Sequence, residues 1–384
     1  MIHYLDHAAT SALRPPEVSA AVAGYLERCG ATPGRGGHRL ALDAGRIVLE
    51  ARRAVARVLG LGGDPGRLTF AANATQGINT ALWGLLEPGD VLVVTAMDHN
   101  AVLRPAHRLA GDRGVEVRLV PARPDGSLDM DVFRRALRGA RLVALNAVSN
   151  VLGTRLPVEE LAPMAHAAGA LVLVDTAQSA GHVPMDLAGA DLVAFTGHKG
   201  LLGPQGTGGL WVRDGVQLRP LIQGGTGGNS LEREMPAEYP DHLEAGTLNG
   251  PGIAGLLAGC RVVLEEGVDA IHHREARLKA RLLDGLRDLP GVRIVSPPAP
   301  DGAGIVTLTA RSADPAQLAH RLDRDHGVLA RAGLHCAPEA HRLAGTAETG
   351  ALRLSVGWGS TGDDVEGAVA AMAAVLESSP VRTP

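Results

Sequence analysis

Lysine is almost absent from this chain of 384 residues: of its 37 lysines and arginines, only Lys199 and Lys279 are lysines. A step that needs an amine able to lose its proton near neutral pH, which arginine cannot supply, therefore has two candidates. Aromatic residues are scarce too, with three each of Phe, Trp and Tyr, leaving few rings on which bases could stack. With a formal net charge of -4 and both signs interspersed, there is no basic stripe, which excludes nucleic-acid binding as the main function. The three cysteines, Cys29, Cys260 and Cys336, lie far apart with no CxxC pair. That argues against a disulfide framework or a cysteine-built metal site, so cysteine chemistry must come from a single thiol. No apolar run reaches the roughly 20 residues of a membrane span. The opening "MIHYLDHAATS" has neither a basic n-region nor an apolar h-region, and a cytoplasmic protein is expected.

What the chain does contain is a repeated alternation of short apolar runs and amphipathic helices. "RLTF", "VLVV", "EVRLV", "RLVALN", "ALVLVD" and "DLVAF" read as buried parallel strands of a doubly wound α/β domain. From about residue 251 the pattern changes to helices mixed with "VRIV", "GIVTLTA", "GVLAR" and "ALRLSV", a smaller α+β unit. The expected division is a large domain over 15–250 and a small one made of 1–14 and 251–384. In such sheets ligands bind at the carboxyl ends of the strands. That rule gathers Asn73 to Thr75, Asp98 and His99, Ser149 and Asn150, Asp175 to Gln178, and Thr196 to Lys199 on one rim.

The rim has the makings of a pyridoxal phosphate (PLP) site. PLP enzymes need a lysine that bonds the cofactor and an acid or arginine facing the pyridine nitrogen; Lys199, on the turn "GHKG", and Asp175, ending "LVLVD", occupy neighbouring strand ends. Lys279 lies in "HHREARLKARLLDGL", which reads as a solvated helix face. The competing local reading of Asp175 is an N-cap for the following segment. "NAT" before "QGINTALW" offers a helix N-terminus for a phosphate through Ala74 and Thr75, although a plain N-cap uses the same letters. Thr196 and His198 stand close enough to join it, and His99 could stack on the ring.

Over nearly its whole length the chain resembles the cysteine desulfurases, class V aminotransferase-type PLP enzymes of fold-type I. "YLDHAAT", "NATQGIN", "MDHNAVL", "SNVLGT", "VDTAQSAGHVPMD", "FTGHKGLLGPQGTGGLW", "LEAGTLN", "RAGLHCAP" and "LRLSVGWGSTGDDV" occur in family order. The resemblance implies an α/β fold-type I PLP-dependent transferase: a large doubly wound domain with a mainly parallel sheet plus a smaller C-terminal α+β domain. It implies Lys199 as the cofactor-bonding lysine, Asp175 at the pyridine nitrogen, and Gln178 and Asn150 near the ring hydroxyl. Ala74, Thr75, Thr196 and His198 would hold the phosphate and His99 would stack. Thr247 of "EAGT" would reach the phosphate of a neighbouring subunit, making a homodimer with composite sites. Arg353 would clamp the substrate carboxylate, with Asn150 and Arg35 bordering the substrate. No metal is expected.

PLP and its lysine serve many reactions, so the fold cannot choose among them. Cys336 bears that decision. Flanked by Arg331, His335 and His341, its thiol has cations nearby that favour the nucleophilic thiolate; Cys29 and Cys260 sit in helical patterns and read as structural. The expected reaction takes L-cysteine, or L-selenocysteine, to L-alanine, with the sulfur carried by Cys336 as a persulfide and passed to a protein or thiol acceptor. His335 or His341 could move protons. A selenocysteine lyase or other C-S lyase, a true aminotransferase and a non-catalytic scaffold are the competing readings. The chain departs from its relatives at His7, where many have Asn, and at "ATQ", where "TTE" is more usual.

Overall fold

The computed structural model describes every residue except Met1, Arg35, Asn229, Ala299, Asp301, Ser312 and residues 379–384. The chain opens with a two-residue strand, β1 (His3–Tyr4). The helices Pro16–Arg28 and Arg39–Val58 then flank the glycine-rich loop. Seven strands follow: β2 (Leu68–Ala71), β3 (Val91–Thr95), β4 (Glu116–Val120), β5 (Ala140–Asn146), β6 (Leu171–Asp175), β7 (Leu192–Thr196) and β8 (Gly208–Val212). They build one sheet in the order β2-β8-β7-β6-β5-β3-β4. Every neighbouring pair is parallel except the two made by β8, which runs against both β2 and β7.

Helices cover both faces, so the central strands are mostly apolar up to the polar residues at their carboxyl ends, and their period of two sends alternate residues to opposite sides. Val93, Val143, Val172 and Phe195 join one core cluster. Leu92, Leu142, Leu173 and Ala194 join the other. The exception is β4, at the sheet edge, where the Glu116–Arg118 ion pair places charge on a strand that could otherwise pair with another chain.

The second unit is an antiparallel sheet, whose strands in chain order are β9 (Val292–Ile294), β10 (Ile305–Ala310), β12 (Arg331–Gly333) and β13 (Ala351–Ser355), arranged β12-β13-β10-β9. The run "GVLAR" is divided between two sheets: β11 (Val328–Leu329) pairs in parallel with β1, whereas β12 pairs with β13. The helices Val268–Arg287, Pro315–His326 and Gly362–Glu377 supply its core, with Leu282, Leu318, Met372 and, from the N-terminal arm, Leu5. Residue 251 falls inside the helix Gly250–Glu266, whose Ile253, Leu256, Leu257 and Cys260 belong to the core of the larger sheet. Among the described residues no helix is long and apolar enough to cross a membrane.

Candidate active site

The parallel strands β5, β6 and β7 end on one rim, and the loop after β12 closes over it. Between them lies a cavity of about 250 Å³. From β6 and the turn after it come Asp175 and Gln178; from β7 and its turn come Thr196, His198 and Lys199. Ala74 and Thr75 open the helix Ala74–Leu85, and Asn73 caps it by accepting the Gln76 N-H. That helix can sit so near β8 because of glycines: a Cβ on Gly208 would lie 2.5 Å from Asn73 Cα, and one on Gly77 would lie 2.6 Å from the Gly209 carbonyl. His99, Asn150, Cys336 and Arg353 complete the wall.

Asp175 and Lys199 are placed where burial works against charge on both. The Lys199 ammonium is lowered to about 8, chiefly by desolvation, with Asp175 pulling the other way. Burial raises the Asp175 carboxyl, opposed by the Ala177 N-H that its Oδ1 accepts at 2.9 Å and by Lys199. Behind them Asp98, fully buried, accepts the Thr95 N-H at 2.7 Å; burial lifts it to about 8, and the Asp175 charge adds to the shift. Of the two, it is Asp175 that lines the cavity.

Burial disfavours charge on His99 and His198. His99 caps the helix Asn100–Arg113, its Nδ1 accepting the Ala101 N-H at 3.0 Å, so its proton is on Nε2. Burial, then Lys199, brings it down to about 4. His198, 3.0 Å from Thr10 Oγ1, is lowered to about 4 by the same two causes.

Arg353 is 1 % exposed and held from two sides. One terminal nitrogen donates to the Asn150 carbonyl at 3.0 Å and the other to Asp6 Oδ1 at 2.9 Å. The fork expected to be free for a carboxylate is thus partly engaged by Asp6, and Nε has no partner among the described residues. Gln178 donates to the Ala8 carbonyl at 2.8 Å. Asn150 donates one amide N-H to the carbonyl of His335, and its Oδ1 has no partner among the described residues.

Thr247 is exposed and does not line this chain's own cavity, and Arg35 lies outside the described residues. Of the thiols, Cys336 is exposed at the cavity. Cys260 is fully buried, and burial pushes it up to about 12; Cys29 donates to the Leu40 carbonyl at 3.3 Å. The sequence did not single out Asp6, Asn146 or the Thr346 hydroxyl described below. Asn146, at the last position of β5, could have been found from the strand-end rule; Asp6 acts through a contact distant in sequence, and Thr346, bonded to His341 five residues away, lies at no strand end and carried no such signal.

The aminotransferase class-V family model matches residues 3–367. A probable cysteine desulfurase of Methanothermobacter thermautotrophicus is 35 % identical over 374 residues, covering 94 % of this chain and 92 % of that one. One of Pseudomonas aeruginosa is 37 % identical over 377 residues, covering 94 % and 91 %. This chain belongs to the cysteine desulfurase family. Among solved cysteine desulfurases, the apo enzyme of Thermococcus onnurineus superposes with a TM-score of 0.91 at 33 % identity, covering 98 % of this chain and 95 % of that one. One from Escherichia coli superposes at 0.87 and 28 %, with the same coverage. The architecture is therefore fold-type I.

Membership of this desulfurase family implies PLP, and the residues fit it. Thr196 Oγ1 and Asn150 Oδ1 are buried oxygens that meet no hydrogen-bond partner among the described residues, which buried polar atoms rarely tolerate without a ligand or water. A helix N-terminus, suited to a phosphate, opens beside them. Asp175 and Lys199 are an acid and an amine of the kinds the cofactor would need.

Proposed function

We propose that this cavity binds PLP and converts L-cysteine to L-alanine, with Cys336 accepting the sulfur. The observation that carries the reading is one cavity holding a half-buried lysine, a buried carboxylate, an anchored arginine and an exposed cysteine. The phosphate is held by Ala74, Thr75, Thr196 and His198, with Thr247 contributed across a homodimer. Asp175 faces the ring nitrogen, His99 packs on the ring, and Asn150 Oδ1 and Gln178 flank its hydroxyl. Bound PLP supplies an electron sink that weakens the bonds at the amino acid's α-carbon.

The chain's own residues then have distinct tasks. Arg353 orients the substrate carboxylate through Nε and the N-H groups not taken by Asp6 and Asn150, and Arg35 borders the entrance. Lys199, as the neutral amine that burial favours, accepts the α-proton and returns it. The Cys336 thiolate attacks the substrate sulfur: the substrate C-S bond breaks, an S-S bond forms, and protonated carbon leaves as alanine. One sulfur atom moves and no external oxidant or reductant is consumed. A thiol or protein acceptor then clears the persulfide. We place this chemistry in the cytoplasm.

The test is anaerobic turnover of L-cysteine by the wild type and Cys336→Ala, following alanine and sulfide, with mass spectrometry of the unreduced protein. Alanine and a persulfide on the Cys336 peptide in the wild type, with near-silence in the variant, are expected. Continued alanine formation by the variant, or an oxo acid product, would replace this reading with a C-S lyase or an aminotransferase.

A further inference from the structure

The segment carrying Cys336 has an unusual backbone. His335 and Cys336 have φ of 47° and 59°, two successive non-glycine residues in the left-handed region. Such residues persist only where their surroundings over-determine them. Their carbonyls are held from the large unit: Asn150 Nδ2 donates to His335 O at 2.5 Å and the Asn100 N-H donates to Cys336 O at 2.8 Å.

From the other side runs a chain of side chains. His335 Nε2 is 3.1 Å from the Arg331 carbonyl, His335 Nδ1 is 3.0 Å from His341 Nε2, and His341 Nδ1 is 2.7 Å from Thr346 Oγ1. His335 is 5 % exposed and His341 not at all. The direction of every bond follows from its end. A carbonyl only accepts, so His335 Nε2 carries a proton and its Nδ1, in a neutral ring, accepts. His341 Nε2 must then donate, its Nδ1 must accept, and the Thr346 hydroxyl donates to it. That hydroxyl is also 3.4 Å from the His341 carbonyl, a much longer contact. Both nitrogens of both rings are therefore occupied, and neither ring has a lone pair or N-H left for the thiol or the substrate.

We infer that the Thr346–His341–His335 chain is a clamp that holds Cys336 in its left-handed conformation over the cavity, and that His341 and His335 are positioning residues rather than proton carriers. Its effect on turnover rests on the desulfurase reading; its effect on the loop does not. The test compares the holoenzyme with His341→Ala, His341→Gln and Thr346→Val. Gln can present an amide N-H near the place of Nε2 and so restore the bond to His335.

Amide hydrogen exchange over residues 331–337 should quicken roughly tenfold in His341→Ala and return most of the way in His341→Gln, the scale expected for one buried hydrogen bond left unmade. Alanine formation should show kcat reduced about tenfold with KM for cysteine and the cofactor's visible absorption unchanged. Unchanged exchange in His341→Ala would overturn the clamp. So would a variant whose pH profile loses a limb that Gln cannot restore, which would make His341 a proton carrier. Should His341→Ala not fold, Thr346→Val, which removes only the terminal hydroxyl, should show the same exchange change at smaller amplitude, and its absence would equally overturn the proposal. If the wild type makes no alanine from cysteine, the exchange data still decide the clamp, so the two readings fail separately.

Discussion

The side-chain amide of Asn150 donates to the backbone carbonyl of His335 at 2.5 Å, joining residues 185 positions apart. The carbonyl of the same Asn150 accepts from Arg353 at 3.0 Å. One residue on the rim of the large sheet thereby registers both the cysteine loop and the anchored arginine of the small unit. Asn150→Ala should leave the His335 carbonyl unpaired, and alanine formation should fall roughly tenfold while cofactor stays bound. Steady-state kinetics beside the visible spectrum checks this; wild-type turnover would show that the bond does not matter.

Arg353 offers a second test. Arg353→Gln keeps a donor near Asn150 but loses the charge, so the KM for cysteine should rise by about ten- to a hundredfold with a smaller change in kcat. Asp6→Asn should give a milder increase, because the guanidinium loses one of its two anchors but keeps its charge. An unchanged KM in Arg353→Gln would remove the carboxylate role.

Lys199 makes the capture of PLP pH-dependent. The nucleophile is the neutral amine, and burial lowers its pKa from 10.5 to about 8. At pH 7 roughly a tenth is neutral, against about one part in three thousand for an unperturbed lysine. Recovery of visible absorption by cofactor-free protein should therefore accelerate between pH 6.5 and 8 and level off above about 8.5. A rate still climbing tenfold per unit beyond pH 9.5 would refute the shift. Lys199→Ala should never recover the band.

Acid should unfold the cofactor-free protein early. His7, His99, His198 and His341 are lowered to about 4 and His335 to about 3, desolvation leading in each. An imidazole depressed in the folded state stabilises above its unfolded pKa near 6.5, and that stability is lost as pH falls toward the folded value, because the unfolded chain binds more protons. Asp98 and Asp175 are raised and oppose this over the same range, but they are two groups against five. The melting temperature should drop steadily from pH 6.5 to about 4; a flat profile there would contradict neutral, buried histidines.

Much of this was readable in one dimension. The apolar runs of β3, β6 and β7 announce themselves because a strand covered on both faces has few polar positions to interrupt it. The rim residues Lys199, Asp175, Thr196 and His198 follow from strand ends alone. Other features carry no periodic signal. β8 looks like its neighbours in sequence yet runs the opposite way, since apolar alternation does not encode direction. The apolar face of Gly250–Glu266 joins the larger core, a choice between two hydrophobic surfaces that composition cannot express.

By itself the sequence determined the doubly wound pattern, the family, the single lysine on a glycine turn and the cysteine segment, because each is written in neighbouring residues. Only the tertiary structure decided which atoms are spoken for. Asp6 takes part of the Arg353 fork from 347 residues away, Asn150 gives an N-H to the cysteine loop, and His341 and His335 use up their nitrogens on each other, the Arg331 carbonyl and the Thr346 hydroxyl. Hydrogen bonds are short-ranged and saturable, so what remains free for a ligand depends on who else is within 3 Å, and that is known only after the chain has folded.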